Sequence, residues 1–326
     1  AKAAGEDVVV ARFRNGHDAT LWPLRITRRY GITYASDLAA PLGQYGDVLG
    51  APPRARDIAA LAAGLKTRYR VDVLQTRRVR ADSGLADALA AAGAHRHGAV
   101  SAPFIDLSAF ADFAAYEAQA SRHTRRNRRQ RRQKLEAAHG PITFSVVRSH
   151  EAPEALRIAI AWKRQWLARQ GRVSRVFDGG DNERALLRAC AGDNAHLSLL
   201  HVGGALAAVE LGFSNDAHYA AYLGSYDPGL ASFSVGQEQM LRTIAWCFTR
   251  GFARYDLLAP ADAYKLTWAR GSAVAAHDYC LPLSLRGKAF VAAQRRARAA
   301  LRRVFYALPL GCRQQALHWR ARLTRR

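Results

Sequence analysis

Four kinds of residue in this chain have the type and spacing to do chemistry. Ser234-Val235-Gly236-Gln237 opens an amphipathic run, Asp256 lies at the end of an apolar stretch, Lys265 follows nine residues later, and Glu210 interrupts an otherwise apolar segment. A short Ser/Gly turn that opens a helix makes an anion site, because unpaired N–H groups and the positive end of the helix dipole converge there. Gly236 lets an anion approach the backbone closely. An acid and a lysine over such a spot suit a phosphate-bearing cofactor and proton transfer. Asp256 at the end of a buried strand is expected to be desolvated and raised in pKa unless Lys265 pairs with it. Tyr222 and Tyr226 sit in the preceding apolar segment, where they can pack or donate a proton.

The elements that must position these groups follow from pattern. Met240, Leu241, Ile244, Cys247 and Phe248 recur at helical spacing and Gly251 supplies a C-cap, so the order around the site reads loop, helix, strand, loop, with Tyr264 to Trp268 in the last loop. Upstream, segments 196–202, 205–213 and 218–226 are separated by Gly203-Gly204 and Asn215-Asp216, as in an antiparallel meander. Before it come a strand over 142–147, a helix over 153–170 and a helix over 182–190. In the first third, Val8 to Phe13 and Leu21 to Ile26 flank Asn15-Gly16, a hairpin signal. A helix over 58–65, a strand over 69–79, a helix over 85–92 and a strand over 100–107 follow. The alternation implies an α/β fold.

Composition bounds the partners. The 326 residues carry 49 Lys and Arg against 26 Asp and Glu, a formal charge of +23 that attracts polyanions of any kind. Two segments concentrate it. Residues 108–138 read as one long helix whose second part holds eight Arg or Lys between Arg122 and Lys134 with no acid among them. Residues 284–326 hold twelve more without an acid, and Phe290, Ala293, Ala297, Ala300, Leu301, Val304 and Phe305 form one stripe until Pro309-Leu310-Gly311 breaks the run. Such helices contact anionic surfaces or pack the stripe on their own domain. Cys190, Cys247, Cys280 and Cys312 form no paired motif, and the histidines show no metal-binding spacing, so no metal is expected. Neither G-x-S-x-G nor a P-loop motif occurs. No apolar run approaches the roughly 18–20 residues of a membrane span, and no signal peptide opens the sequence, so the cytoplasm is the expected location.

Tyr226-Asp227, the loop Ser234-Val235-Gly236, the helix ending at Gly251, Tyr255-Asp256-Leu257-Leu258 and Tyr264-Lys265-x-x-Trp268 occur in an order that resembles the CelD/BcsL-like (BioF-like) acetyltransferases. These are members of the GNAT superfamily related to the Fem peptidoglycan transferases. Val235 stands where that family commonly has Pro, Leu257 where it has Phe, and Ala259-Pro260-Ala261 where it has an Arg-Gly segment. The resemblance implies an α/β (α+β) fold of two tandem GNAT-like domains, mixed and mostly antiparallel sheets flanked by helices, with a basic helical tail. The expected division is a degenerate domain over 1–107, an Arg-rich connecting helix over 108–140, a catalytic domain over 141–285 and the tail over 286–326. It implies acetyl-CoA or another acyl-CoA as co-substrate, held by Ser234, Val235, Gly236 and Gln237. Asp256, Glu210, Lys265 and Tyr226 are the implied catalytic groups, and Tyr222, Tyr264, Trp268 and Arg126 the implied substrate contacts, although Trp268 also reads as a core anchor. The implied acceptor is an amino sugar, a polysaccharide or a cell-envelope intermediate, with the inner membrane surface as a peripheral location. The alternatives are a Fem-like transferase using aminoacyl-tRNA, or a non-catalytic module that binds polyanions or a membrane surface through 122–134 and the tail.

Overall fold

The computed structural model describes residues 7–15, 18–172, 174, 176–177 and 180–307, and the side chains of 15, 18, 298–299 and 301–307 are outside that description. Contacts divide the chain into two compact units. One is drawn from residues up to Ser101 and from Val274 onward, the other runs from Ala102 to Ala273.

The first unit opens with β1 (Asp7–Asn15) and β2 (Asp18–Arg29), paired antiparallel from Asp7 opposite Ile26 to Asn15 opposite Asp18. This is the expected hairpin, and its two turn residues lie outside the described residues. Thr20, Trp22, Leu24 and Ile26 are buried at alternate positions, the period that a one-faced strand requires. Next come β3 (Ile32–Asp37), a two-residue β4 (Leu49–Gly50) on β2, α1 (Ala55–Tyr69) and β5 (Val73–Arg80). The sequence reading missed β3, a short strand with partly covered polar positions. β3 and β5 pair in parallel, Tyr34 opposite Val73, with α1 as the crossover. α1 buries Ile58 and Leu65 in a core with Trp22, Leu24 and Leu74. α2 (Gly84–Ala91) and β6 (His95–Asp106) complete this stretch, and the boundary between units falls within β6.

The second unit holds α3 (Phe113–Ala118), α4 (Arg122–His139), β7 (Ile142–Arg148), α5 (Pro153–Arg169), α6 (Asp181–Ala189), β8 (Ala195–Val202), β9 (Ala205–Ser214), β10 (His218–Tyr226), α7 (Val235–Thr249), β11 (Arg254–Asp256) and α8 (Ala263–Ala269). Its strands lie in the order β7-β8-β9-β10-β11, with the end of β6 antiparallel on β11. The meander β8-β9-β10 forms as the turn residues indicate. Two expectations change here. The single helix over 108–138 is two, because Ser121 accepts the N–H of Thr124 at 3.1 Å and caps a fresh start after α3. The segment Tyr264 to Trp268 is helical rather than loop, because Asp262 accepts the N–H of Lys265 at 3.2 Å and starts α8.

The chain then forms β12 (Ala273–Pro282) and α9 (Leu285–Ala307). β12 pairs antiparallel with β5 of the first unit, so residues 274–282, which the sequence reading assigned to the catalytic domain, belong to the other sheet. Asp72 fixes the start of α9 through Ser284 Oγ at 2.6 Å and Arg286 Nη2 at 2.9 Å. Val291 is buried with Ile32, Val73 and Cys280, and Phe290 meets Tyr34 edge-on at 6.0 Å. The start of the basic stripe therefore packs on its own unit. The side chains of Leu301, Val304 and Phe305, and the Pro309–Gly311 break, lie outside the described residues, as does Cys312. Cys190, Cys247 and Cys280 are buried free thiols.

Candidate active site

The first turn of α7 lies beside the predicted site residues, and of its backbone donors the Gln237 N–H is bonded to Ser234 O at 2.9 Å. Ser234 precedes it in the left-handed region, φ 59°, and its side chain does not cap the helix. Its Oγ instead accepts from Arg131 Nη1 at 3.0 Å. Val235 is fully buried against Leu135, Leu200 and Val202, which anchors the helix start. A Cβ on Gly236 would lie 3.1 Å from the Tyr226 ring, so the absent side chain is what lets that ring lie against the turn. With no side-chain cap, the dipole end is left available to an external anion.

α4 supplies the positive charge around it. Arg128, Arg131, Arg132 and Leu135 recur on one stripe, and with Phe233, Ser234, Gln237, Glu238 and Leu241 they line a small open depression. Arg132 and Arg242 pair with Glu238 at 3.0 Å and 2.7 Å, which neutralises the acid of this turn. Arg128 stacks its guanidinium 4.5 Å over the Trp268 ring and leaves Nη1 buried without a hydrogen bond in the described structure. Desolvation pulls its pKa down from the ordinary arginine value. An orphaned guanidinium N–H beside an uncapped helix start fits an anionic group.

β10 and β11 then diverge. They pair in parallel only from His218–Arg254 to Ala220–Asp256, after which β10 continues to Tyr226 and β11 has ended. A bulge at Ala221 to Leu223 bends β10 at the point of separation. An added Cβ at Gly224 would meet nothing within 4 Å, so the space beside β10 is open there. Asp256, buried at 7%, closes the end of β11 by accepting the N–H of Leu258 at 2.7 Å, with Leu258 at φ 62°. Lys265 Nζ caps the same turn from α8, donating to Leu258 O at 2.9 Å and Pro260 O at 3.1 Å. Asp256 and Lys265 thus both hold the turn that follows β11.

Glu210 is sealed between the sheet and α7, 3% exposed. The Tyr255 hydroxyl lies 2.9 and 2.8 Å from its two oxygens and Tyr219 donates at 3.3 Å. Burial pushes its carboxyl up to about 7, and the two phenols pull it back. Beside it, Ser198, Gln239 and Thr243 form a buried chain, with Ser198 Oγ 2.8 Å from Thr243 Oγ1 and Gln239 Nε2 donating to Ser198 Oγ at 2.6 Å. Gly212 is required here, since a Cβ would lie 2.1 Å from the Tyr219 hydroxyl. Enclosed in this way, Glu210 ties β9, β10 and β11 together.

The expected substrate contacts separate. Tyr222 lies in the bulge with its ring edge-on to Phe213 at 5.4 Å, and Tyr226 is 36% exposed beside Gly236. Tyr264 is half-exposed, and desolvation of its hydroxyl, with Asp262 and Glu210 adding, pushes it up to about 12. Trp268 is a core residue, 7% exposed and covered by Arg128, rather than a stacking surface. Arg126 is exposed and falls on the stripe of Arg122 and Arg129, away from the depression that Arg128 and Arg131 line. The depression draws on a different register of the arginine run from the one the sequence reading named. The signal that finds the right one is Leu135, which marks the buried stripe at i, i+3, i+4 and i+7 from Arg128.

Residues 122–266 match the family model of the acetyltransferase (GNAT) domain. That segment carries α4, the meander, α7, the diverging strands and the start of α8, so the enzyme is an acyltransferase by class. Several solved structures resemble the chain in fold. FemX aligns with a TM-score of 0.59 at 10% identity over 85% of this chain and 88% of its own. The C-terminal domain of a protein described as a lysylphosphatidylglycerol synthetase from Agrobacterium fabrum aligns with a TM-score of 0.52 at 15% identity, over 84% of each chain. A conserved protein of unknown function from Bacteroides thetaiotaomicron VPI-5482 reaches 0.53 at 11% identity, over 80% of this chain and 86% of its own. A sequence search of curated proteins finds no match. Among the described residues no helix is long and apolar enough to cross a membrane, and no group of three or more His, Cys, Asp or Glu could hold a metal ion.

Proposed function

We propose that the protein is an acyl-CoA-dependent N- or O-acyltransferase of the CelD/BcsL-like kind, acting on an amino sugar, polysaccharide or cell-envelope intermediate. The observation that carries this reading is the uncapped start of α7, faced by Arg131 and by the orphaned Nη1 of Arg128. The N–H groups of Val235 and Gly236 and these two arginines would hold the phosphates of the donor, with the Gln237 side chain at the edge of the depression. When bound, acyl-CoA supplies an acyl group activated as a thioester. The divergence of β10 and β11 leaves the space beside Gly224 for it, and Asp256 and Lys265 shape the turn on the far side. Tyr226, whose ring lies beside Gly236, would supply a proton to the leaving thiolate.

Native mass spectrometry and calorimetric titration with acetyl-CoA and longer acyl-CoAs test this. One ligand per chain is expected, weakened at least tenfold in Arg128→Ala/Arg131→Ala. Absence of binding by every acyl-CoA removes the donor assignment. The exposed stripe of Arg122, Arg126 and Arg129, which has no acidic partner among the described residues, favours a second reading: a Fem-like transferase whose donor is aminoacyl-tRNA. Its signature is RNA affinity that falls steeply with salt and is lost on replacing those three arginines by Ala.

A further inference from the structure

Three connections of the first unit meet at one buried acid. Asp72 bonds to Thr33 twice: its N–H donates to Thr33 O at 2.8 Å, and its Oδ2 accepts the Thr33 N–H at 2.9 Å. Its carbonyl accepts the N–H of Leu283 at 2.8 Å, and its carboxylate takes Ser284 and Arg286. Gly287 lies so near that a Cβ there would fall 2.1 Å from Asp72 O. The β2–β3 turn, the link from α1 to β5 and the link from β12 to α9 therefore come out at the same end of the sheet.

At that end each connection turns a large side chain toward solvent. Tyr30 is 97% exposed, Leu285 84% and Tyr69 37%. Tyr30 and Gly31 form a two-residue turn between Arg29 and Ile32, and both lie in the left-handed region, φ 51° and 75°. Such a turn favours Asn or Asp ahead of Gly, so a tyrosine there is locally strained while it adds nothing to the core. Arg28, Arg29, Arg68, Arg70 and Lys288 are exposed around these tips, and no acid pairs with them among the described residues. Across residues 26–33, 65–72 and 283–290 the one acid is Asp72, which Arg286 already offsets.

Aromatic and aliphatic tips set among cations suit the boundary between water and an anionic bilayer. There a tyrosine ring sits at headgroup level with its hydroxyl wet, a leucine reaches toward the acyl chains, and arginines meet the phosphates. A nucleic acid would use the cations and leave Leu285 bare. We propose that this end of the first unit is a docking surface for an anionic phospholipid bilayer, with Tyr30 and Leu285 inserted and the surrounding cations on the headgroups. Docking of this kind is independent of the donor site, since α4 and α7 belong to the other unit.

Flotation of the full chain with large unilamellar vesicles tests the docking surface. Vesicles of phosphatidylcholine alone are compared with vesicles in which about a third of the lipid is phosphatidylglycerol. The chain is expected to float with the anionic vesicles and not with the neutral ones. Tyr30→Asn/Leu285→Ser keeps every charge, and Asn suits the left-handed turn, so its thermal melt should match that of the parent. Its affinity for the anionic vesicles should fall at least about fivefold, with acetyl-CoA affinity unchanged. Arg28→Gln/Arg29→Gln should weaken vesicle binding about as much, with the difference from the parent shrinking as salt rises. Absence of binding to anionic vesicles overturns the proposal. So does equal binding by the parent and Tyr30→Asn/Leu285→Ser, because the general positive charge of the chain would then suffice. Loss of affinity for a short RNA duplex in that variant, with vesicle binding kept, would assign the surface to nucleic acid instead.

Discussion

Helices α1 and α7 each cross between two parallel strands, yet their first turns are finished in opposite ways. At α1 the third residue, Asp57, turns back to accept the backbone N–H of Arg54 at 2.8 Å and its Nε at 3.3 Å. That backbone N–H holds the Asp57 carboxyl below the usual range. The anion site of this helix is filled by its own chain. At α7 the equivalent third residue is Gln237, the preceding Ser234 is turned away to Arg131, and the acid one residue on, Glu238, is neutralised by two arginines. The buried faces differ as well: α1 buries Ile58 and Leu65, whereas α7 buries Gln239 and Thr243 beside Glu210. The same crossover is capped by its own chain in one unit and, on the proposed reading, receives an anion in the other, where polar groups are buried among Leu241, Ile244 and Cys247.

The interior gives the largest measurable contrast. Glu210 keeps its proton to about pH 7 when folded and to about 4.5 when unfolded. Between these values the folded state holds a proton that the unfolded state releases, so stability falls as pH rises through this window and levels off above it. The change is roughly 3 kcal/mol for a group this buried. Urea melts of Glu210→Gln at pH 4.5 and 7.5 should lack that slope, and a slope unchanged from the parent would place the titration elsewhere. Exchanging the caps comes next. Gln237→Asp gives α7 the acid that α1 has, and should weaken acetyl-CoA binding about tenfold or more by calorimetry with the fold intact. Retained affinity would end the case for an anion site there. The reverse change, Asp57→Asn, should lower stability by about 1 kcal/mol in thermal melts without altering acetyl-CoA binding. The smallest effect is expected from Arg126→Ala, which should leave acetyl-CoA affinity within twofold because its side chain lies on the outer stripe of α4.

Much of this contrast could be read in the sequence where the cause is local. Gly251, the spacing from Met240 to Phe248, and the Ser234–Gly236 turn place α7 correctly because caps and periodicity act within a few residues. Glu210 stood out as an acid in an apolar strand, but its partners did not, since Tyr219 and Tyr255 reach it from two other strands. For the same reason Arg128 and Arg131 were hidden within a run of similar residues until the packing of Leu135 fixed which side faces inward. The helix start at Ser121 was legible in principle, as a serine ahead of Thr124, and was masked by the charge pattern on either side. β3 and β12 were not legible, because a strand that pairs across a long stretch of chain leaves no local mark.

The route of β12 also sets an order of events during synthesis. The second unit is continuous from Ala102 to Ala273, so all of it has been made before the strand that completes the first sheet emerges from the ribosome. Until residues 273–282 appear, β5 has an open edge on the β12 side, and Asp72 waits for Ser284 and Arg286. The unit that begins the chain is therefore the one that finishes folding last, which reverses the usual vectorial order. A nascent chain whose first 273 residues have left the ribosome would carry the whole second unit joined to an unfinished sheet. Its exposed β5 edge would be the natural place for a chaperone, or for another nascent chain, to bind.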